Sequence, residues 1–407
     1  MTPAGATYRK LPEVAFFQEG PGLRNWQWTD DGMKVINGTN ILPDGSIDIS
    51  NTDKFIAQAE FEGRYRHFAI DEGDIVLSSS GTLGKVGLIR AEHLPLMMNT
   101  SVIRFRTKDP SVLYDGYLFA FLRSPQFQAL IRSFAVGGVQ QNFGPVHLKQ
   151  IEIPAPPLRV QHRIADILLA FDDLIENNRR RTAQLEDAAR QLYREWFVRL
   201  RFPGHEHTSI TDGVPAGWER TTAYAAMEVL SGGTPKTTNP GFWDGDIPFF
   251  TPKDATGTFY VRETQRSITD LGLKNCNSRL YERDTVFISA RGTVGKLNLA
   301  SRPMAMSQSC YALIGKGCVS QLFLFSALQE AIAHFKQNAV GAVFDAIVVD
   351  TFKLIPFVVP DEKNVRLFDE TVAPVFRQVA NLMKQNRALR AARDLLLPRL
   401  MNGECIV

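Results

Sequence analysis

Cysteine is scarce and one-sided in this chain: four in 407 residues, Cys276, Cys310, Cys318 and Cys405, all in the second half. None forms a CxxC pair, which argues against a zinc ribbon or a disulfide framework and fits a reducing compartment. No apolar run approaches the roughly 20 residues that span a bilayer. The stretch from Met1 to Lys10 lacks the apolar centre of a signal peptide. A soluble, cytoplasmic protein with no membrane partner is expected. Charge of one sign is also lacking, with a net +3 at pH 7, so basicity as a whole is a weak argument for nucleic acid, although local basic surface stays open.

A phosphate-binding loop is missing too. Gly81-Thr82-Leu83-Gly84-Lys85 and Gly292-Thr293-Val294-Gly295-Lys296 have two residues between the first glycine and Gly-Lys, and Val86 or Leu297 follows. The nucleotide-hydrolysing loop needs four, then Ser or Thr. His205-Glu206-His207 lies in a polar linker with no cysteine or second histidine pair nearby, so no metal site is expected there.

What is present comes twice. Glu72–Lys85 parallels Glu282–Lys296, and Ala135–Val139 parallels Ala339–Val343, about 204 to 210 residues apart. Short strand-like runs and turns fill the first part of each copy. Each copy then passes a proline-rich boundary and enters a long helical stretch, Val160–Arg199 and Asp361–Asn402. In the first, Ile164, Ile167, Phe171, Leu174, Leu185, Ala188 and Leu192 follow the three- and four-residue steps of a coiled-coil seam. In the second, Val365, Phe368, Val372, Val375, Val379, Leu382, Leu389, Leu396 and Leu400 do so. A lone asparagine falls at an a position in each, Asn178 and Asn386, suited to fixing register. Pro398 should kink or end the second helix near Asp394. The expected fold is α+β: two β-rich domains and two long helices pairing as an antiparallel intramolecular coiled coil, with an internal pseudo-twofold repeat. The boundaries are 1–158 (first β-rich domain), 159–201 (central spacer helix), 202–216 (linker), 217–358 (second β-rich domain) and 359–407 (C-terminal spacer helix).

Two modules on long helices suit an extended ligand with separated features, and DNA is the obvious one. Each glycine turn gathers backbone N–H groups, hydroxyls and a lysine that suit a DNA phosphate or a base edge. The candidate DNA-binding residues are Ser79, Ser80, Thr82 and Lys85 in the first copy, and Lys253, Arg291, Thr293 and Lys296 in the second. Gln140 and Gln141, in the glycine loop Val136–Phe143, have the amides that pair with adenine. The alternatives are a coiled-coil protein-interaction scaffold that does not bind DNA and, third, a nuclease acting alone, which lacks an acidic metal cluster.

Taken in order, these motifs resemble the DNA specificity subunit of type I restriction–modification systems over nearly the whole chain. The resemblance rests on Asn37-Gly38-Thr39-Asn40-Ile41, Gly73-Asp74-Ile75-Val76-Leu77-Ser78, Gly217-Trp218-Glu219, Ser231-Gly232-Gly233-Thr234-Pro235 and Thr251-Pro252-Lys253-Asp254. Tyr193-Arg194-Glu195-Trp196-Phe197 and Leu396-Leu397-Pro398-Arg399-Leu400 add to it. It implies two target recognition domains, each reading half of a bipartite site on double-stranded DNA, and spacer helices that dock two modification (adenine methyltransferase) subunits. Restriction (translocase and nuclease) subunits complete such complexes. It further implies no catalytic residues and no cofactor on this chain, with S-adenosylmethionine and ATP bound by the partner subunits.

Overall fold

The computed structural model describes residues 5–50, 52, 54–134, 143–338 and 346–405. They form two compact units: unit 1 comprises 1–177 and 385–407, and unit 2 comprises 178–384. Both long helices are divided between the units. Their buried faces contribute to the cores of both units.

In unit 1 four strands, β1 (Ala15–Glu19), β2 (Ile75–Ser78), β3 (Val86–Leu88) and β4 (Val102–Thr107), form an antiparallel sheet in the order β1-β4-β2-β3. Every residue of β2 is buried, since one face meets the helical core and the other a smaller apolar cluster around Ile36, Val76 and Met98. That two-sided burial explains why β2 reads as an unbroken apolar run. Beside it a second sheet pairs Met33–Ile36 in parallel with Leu96–Met98.

Unit 2 repeats the plan. Strands β5 (Met227–Ser231), β6 (Val286–Ser289), β7 (Leu297–Ala300) and β8 (Cys310–Gly315) follow the order β5-β8-β6-β7, extended by Tyr260–Val261 on β7. Registers match as well: Ser78 lies opposite Val102, and Ser289 opposite Cys310. The counterpart of the second sheet pairs Phe249 and Phe250 in parallel with Ala305 and Met306.

The central helix runs Leu158–Tyr193 and closes in a wide turn, Arg194–Val198; the C-terminal helix runs Glu362–Met401. In unit 1, Asp172 meets Arg393 (2.6 Å) and Asn386 Nδ2 donates to the Ile175 carbonyl (3.1 Å). One number rises as the other falls, so the two segments are antiparallel there, as the seam pattern suggests.

Three expectations about the helices need correction. Leu174 and Ala188 are exposed, and the buried positions are their neighbours Ile175 and Ala189. Between these, the buried face is polar: Asn178, Thr182 and Glu186. A reading based on apolar steps skips that stretch and slips by one. Pro398 does not end the helix, which continues to Met401. It costs the hydrogen bond to the Asp394 carbonyl, while buried Leu397, Leu400 and Met401 hold the last turn onto the core and Asn402 N–H reaches the Pro398 carbonyl (2.9 Å).

Candidate nucleic-acid interface

Each glycine turn is closed by a buried serine. In unit 1, Ser78 N–H donates to the Lys85 carbonyl (2.9 Å), Gly84 N–H to the Ser78 carbonyl (3.0 Å) and Lys85 N–H to Ser78 Oγ (2.9 Å). The Ser78 hydroxyl donates to the Thr82 carbonyl (2.7 Å). Unit 2 repeats these four bonds at Ser289, with Lys296, Gly295 and Thr293 in the same roles. Gly81, Gly84, Gly292 and Gly295 all have φ between +71° and +85°, a backbone that L side chains resist. The glycines serve the turn's shape, in which Thr82 and Thr293 are exposed while Leu83 and Val294 pack against the cores.

Four further segments converge on each turn. The segment after β1 passes so close to the loop before β4 that a Cβ on Gly20 would lie 2.2 Å from the Asn99 carbonyl oxygen; Gly232 stands in the same relation to Ser307 (2.3 Å). Ser79 N–H donates to the Ser101 carbonyl (2.9 Å), and Ala290 N–H to the Ser309 carbonyl (2.8 Å). The ends of the long glycine loops land on the same residues: Phe143 N–H on the Ser79 carbonyl (3.1 Å), Ile347 N–H on the Ala290 carbonyl (2.8 Å). Gln140 and Gln141 themselves lie outside the described residues.

The last of these loops is the turn after the second sheet's parallel strand. Asn40 Oδ1 accepts the Asn37 N–H (2.9 Å) while Asn40 N–H returns to the Asn37 carbonyl (3.0 Å); Asp254 does the same for Thr251 (2.8 and 2.9 Å). Asn37–Asn40 and Thr251–Asp254 are thus one turn in two copies. It sits against the glycine turn by a single carbonyl, held differently in the two units. In unit 1 the Lys85 ammonium donates to the Gly38 carbonyl. In unit 2 the Thr293 hydroxyl donates to the equivalent Pro252 carbonyl (2.9 Å).

This arrangement sorts the candidate residues. Thr82, Lys253, Arg291, Thr293 and Lys296 are exposed, and Ser80 is half-buried at the rim. Lys85 is half-buried and tied to Gly38, and burial pushes its pKa down. Ser79 departs from expectation: it is buried, and its hydroxyl is spent on the Thr100 carbonyl (3.0 Å). Asn386 is buried with Nδ2 on Ile175 and Oδ1 without a partner among the described residues, and Asn178 is buried in unit 2.

The profile described as type I restriction modification DNA specificity domain matches residues 3–187 and, a second time, residues 217–388. The chain belongs to that family. Its similarity to the MjaIX specificity subunit of Methanocaldococcus jannaschii is 25% identity over 341 residues, 82% of this chain and 78% of the relative. The HindI specificity subunit of Haemophilus influenzae is 22% identical over 319 residues, 63% of this chain and 70% of the relative. A crystal structure of the S subunit from M. genitalium matches with a TM-score of 0.53 at 19% identity, covering 98% of this chain and 99% of that one, a likeness of fold.

Each family-matched segment contains one complete set of the converging loops. Two residues of this specificity fold escaped the sequence reading. Thr39 is the structural counterpart of Lys253, a match hidden because Asn-Gly-Thr-Asn and Thr-Pro-Lys-Asp share no residue in register. Glu19 ends β1 at Thr100, where β5 ends in Ser231. Burial raises the Glu19 carboxyl pKa, partly offset by a hydrogen bond with Thr100.

Proposed function

We propose that this chain is the DNA-reading, non-catalytic subunit of a type I restriction–modification complex, with each unit's converging loops docked on half of a bipartite target. The observation that carries this is the doubled loop cluster: the same four-bonded serine turn, in both family-matched segments, presenting exposed polar side chains from a sheet end, hydroxyls in unit 1 and mainly cations in unit 2. Phosphate contacts supply affinity and a few side chains select bases. The long helices space the two halves and dock two modification subunits, and restriction subunits join that assembly. S-adenosylmethionine and ATP are assigned to those partners, where adenine is flipped and methylated. A cytoplasmic setting fits, and no helix among the described residues is long and apolar enough to cross a membrane.

The test is a gel shift of this chain with its modification subunits, on duplexes carrying the bipartite sequence found by mapping methylated adenines. Preference for that sequence is expected, and equal binding to every duplex would overturn the proposal. Salt-insensitive binding to the partners with no DNA bound would favour a protein-interaction scaffold instead. Matching insertions of about one helical turn in both long helices, near Thr182 and Lys384, are expected to change the tolerated gap and leave both half-sites as they were.

A further inference from the structure

The two loop clusters share one framework but not one charge distribution. At four matched positions unit 1 places Thr39, Ser80, Thr82 and Lys85, where unit 2 places Lys253, Arg291, Thr293 and Lys296. Lys85 is withdrawn from solvent by the Gly38 carbonyl. Thr293 takes over that fastening in unit 2, which leaves Lys296 exposed. Lys253 and Arg291 are exposed as well, and none of the three has an ion pair among the described residues. Unit 1 moreover carries the Glu19 carboxylate at Thr100, where unit 2 has a serine. The difference at the matched positions is three free cations against none.

We infer that the two halves divide the electrostatic work unequally: unit 2 grips DNA phosphates through Lys253, Arg291 and Lys296, while unit 1 reads its half through Thr39, Ser80 and Thr82 and contributes little charge. This rests on the DNA-reading proposal above. Each neutralised phosphate steepens the fall of log K with log salt by about 0.9. The slope therefore counts the cations engaged and shows which unit supplies them.

The experiment uses the full chain in complex with its modification subunits, binding a duplex with the mapped bipartite sequence between 50 and 200 mM KCl. K253A, R291A and K296A are each expected to lower the slope by about 0.9, so that each variant loses about threefold less affinity across that range than the unaltered complex. The triple variant should lose nearly three times that slope. T39K and S80R, which install unit 2's residues in unit 1, should each steepen it by a similar amount. All should keep the melting temperature of the parent. A triple variant with an unchanged slope would overturn the inference, as would K85A flattening the slope as much as K296A does. A complex that does not distinguish the mapped duplex from a scrambled one contradicts the DNA-reading proposal itself, before any slope is compared.

Discussion

Unit 1 and unit 2 share a sheet and a loop cluster, yet they fasten these to their segments of the long helices by different chemistry. In unit 1, Arg393, only 4% exposed, pairs with Asp172 (2.6 Å), which also takes Arg123 (2.6 Å), while Arg390 pairs with Asp44 (2.6 Å). Asp44, Arg123, Asp172 and Arg393 line a cavity of about 50 Å³ between the Asp44–Ile47 turn and the two helices. In unit 2 the same task falls to rings. Phe368 is fully buried, with Phe197 at 5.2 Å and Tyr193 and Trp196 at 6.0 Å between centroids, and Phe376 stacks on Phe259 (4.9 Å). An ionic seat is directional and depends on every partner, because a buried charge left alone is costly. An aromatic seat is broader and gains its strength from area. A repeated framework can therefore be built with two different sensitivities.

The largest effect expected from breaking this comparison is Phe368→Ala, which should cost unit 2 about 3–5 kcal/mol through lost burial and the cavity left behind. Hydrogen exchange read peptide by peptide should show the loss in unit 2. Next is Arg393→Ala, which strands Asp172 beside a single arginine and should cost unit 1 about 3 kcal/mol. Replacing Asp172 by Asn in the same chain should cost more still, because it leaves the largely buried Arg123 without its carboxylate, a loss that a merely steric role would not give.

The third prediction contrasts the units by pH. Burial raises the pKa of Glu186, in the polar stretch of the central helix, to about 7, against the opposing effects of the Phe259 N–H (2.7 Å) and Arg190. A carboxyl raised on folding stabilises fully below its unfolded pKa, and that stabilisation is lost as pH rises to about 7. Glu186→Gln keeps an acceptor for Phe259 and should make unit 2 on the order of 2 kcal/mol more stable at pH 8 than the parent. Asp44 behaves oppositely. Its burial alone would raise its pKa, but Arg390, the Ser46 hydrogen bonds and Arg393 outweigh this and leave it lowered. Its contribution is present above the unfolded pKa and lost in acid, below about pH 4. Acid should therefore loosen unit 1 first, and the rise from pH 5 to 7 should weaken unit 2. Parallel pH profiles for the two units would contradict this.

The smallest effect concerns the shared carbonyl. Lys85→Ala in unit 1 and Thr293→Val in unit 2 should each cost about 1 kcal/mol locally, whereas Lys296→Ala should leave stability unchanged. Thermal melts of the three variants make the comparison.

Much of this plan was legible in the residues. The serine turns announced themselves because their glycines are dictated by backbone conformation, which leaves little choice of residue. The alternating apolar steps of Val365–Leu382 revealed the C-terminal helix for a similar reason. What stayed hidden depended on partners distant in sequence. Asn40 and Asp254 build the same turn with different residues, since either side-chain oxygen can accept a backbone N–H. Nothing adjacent to Lys85 says that Gly38 will hold it, and nothing adjacent to Ser79 says that Thr100 will. Arg393 in a buried seam position reads as a surface arginine until Asp172 is placed against it. The polar stretch Asn178–Glu186 misled the apolar count because its burial is sustained by hydrogen bonds such as that from Phe259.

The split of unit 1 between 1–177 and 385–407 also has a meaning in time. Unit 2 is one uninterrupted stretch and has all its parts as soon as Lys384 is made. Unit 1 begins first but lacks Leu397, Leu400 and Met401 for its core, and Arg390 and Arg393 for Asp44 and Asp172, until unit 2 has been made in between. At roughly 5–20 residues per second on the ribosome, that is a wait on the order of ten seconds or more. The half of the protein that is made first is the half that is completed last.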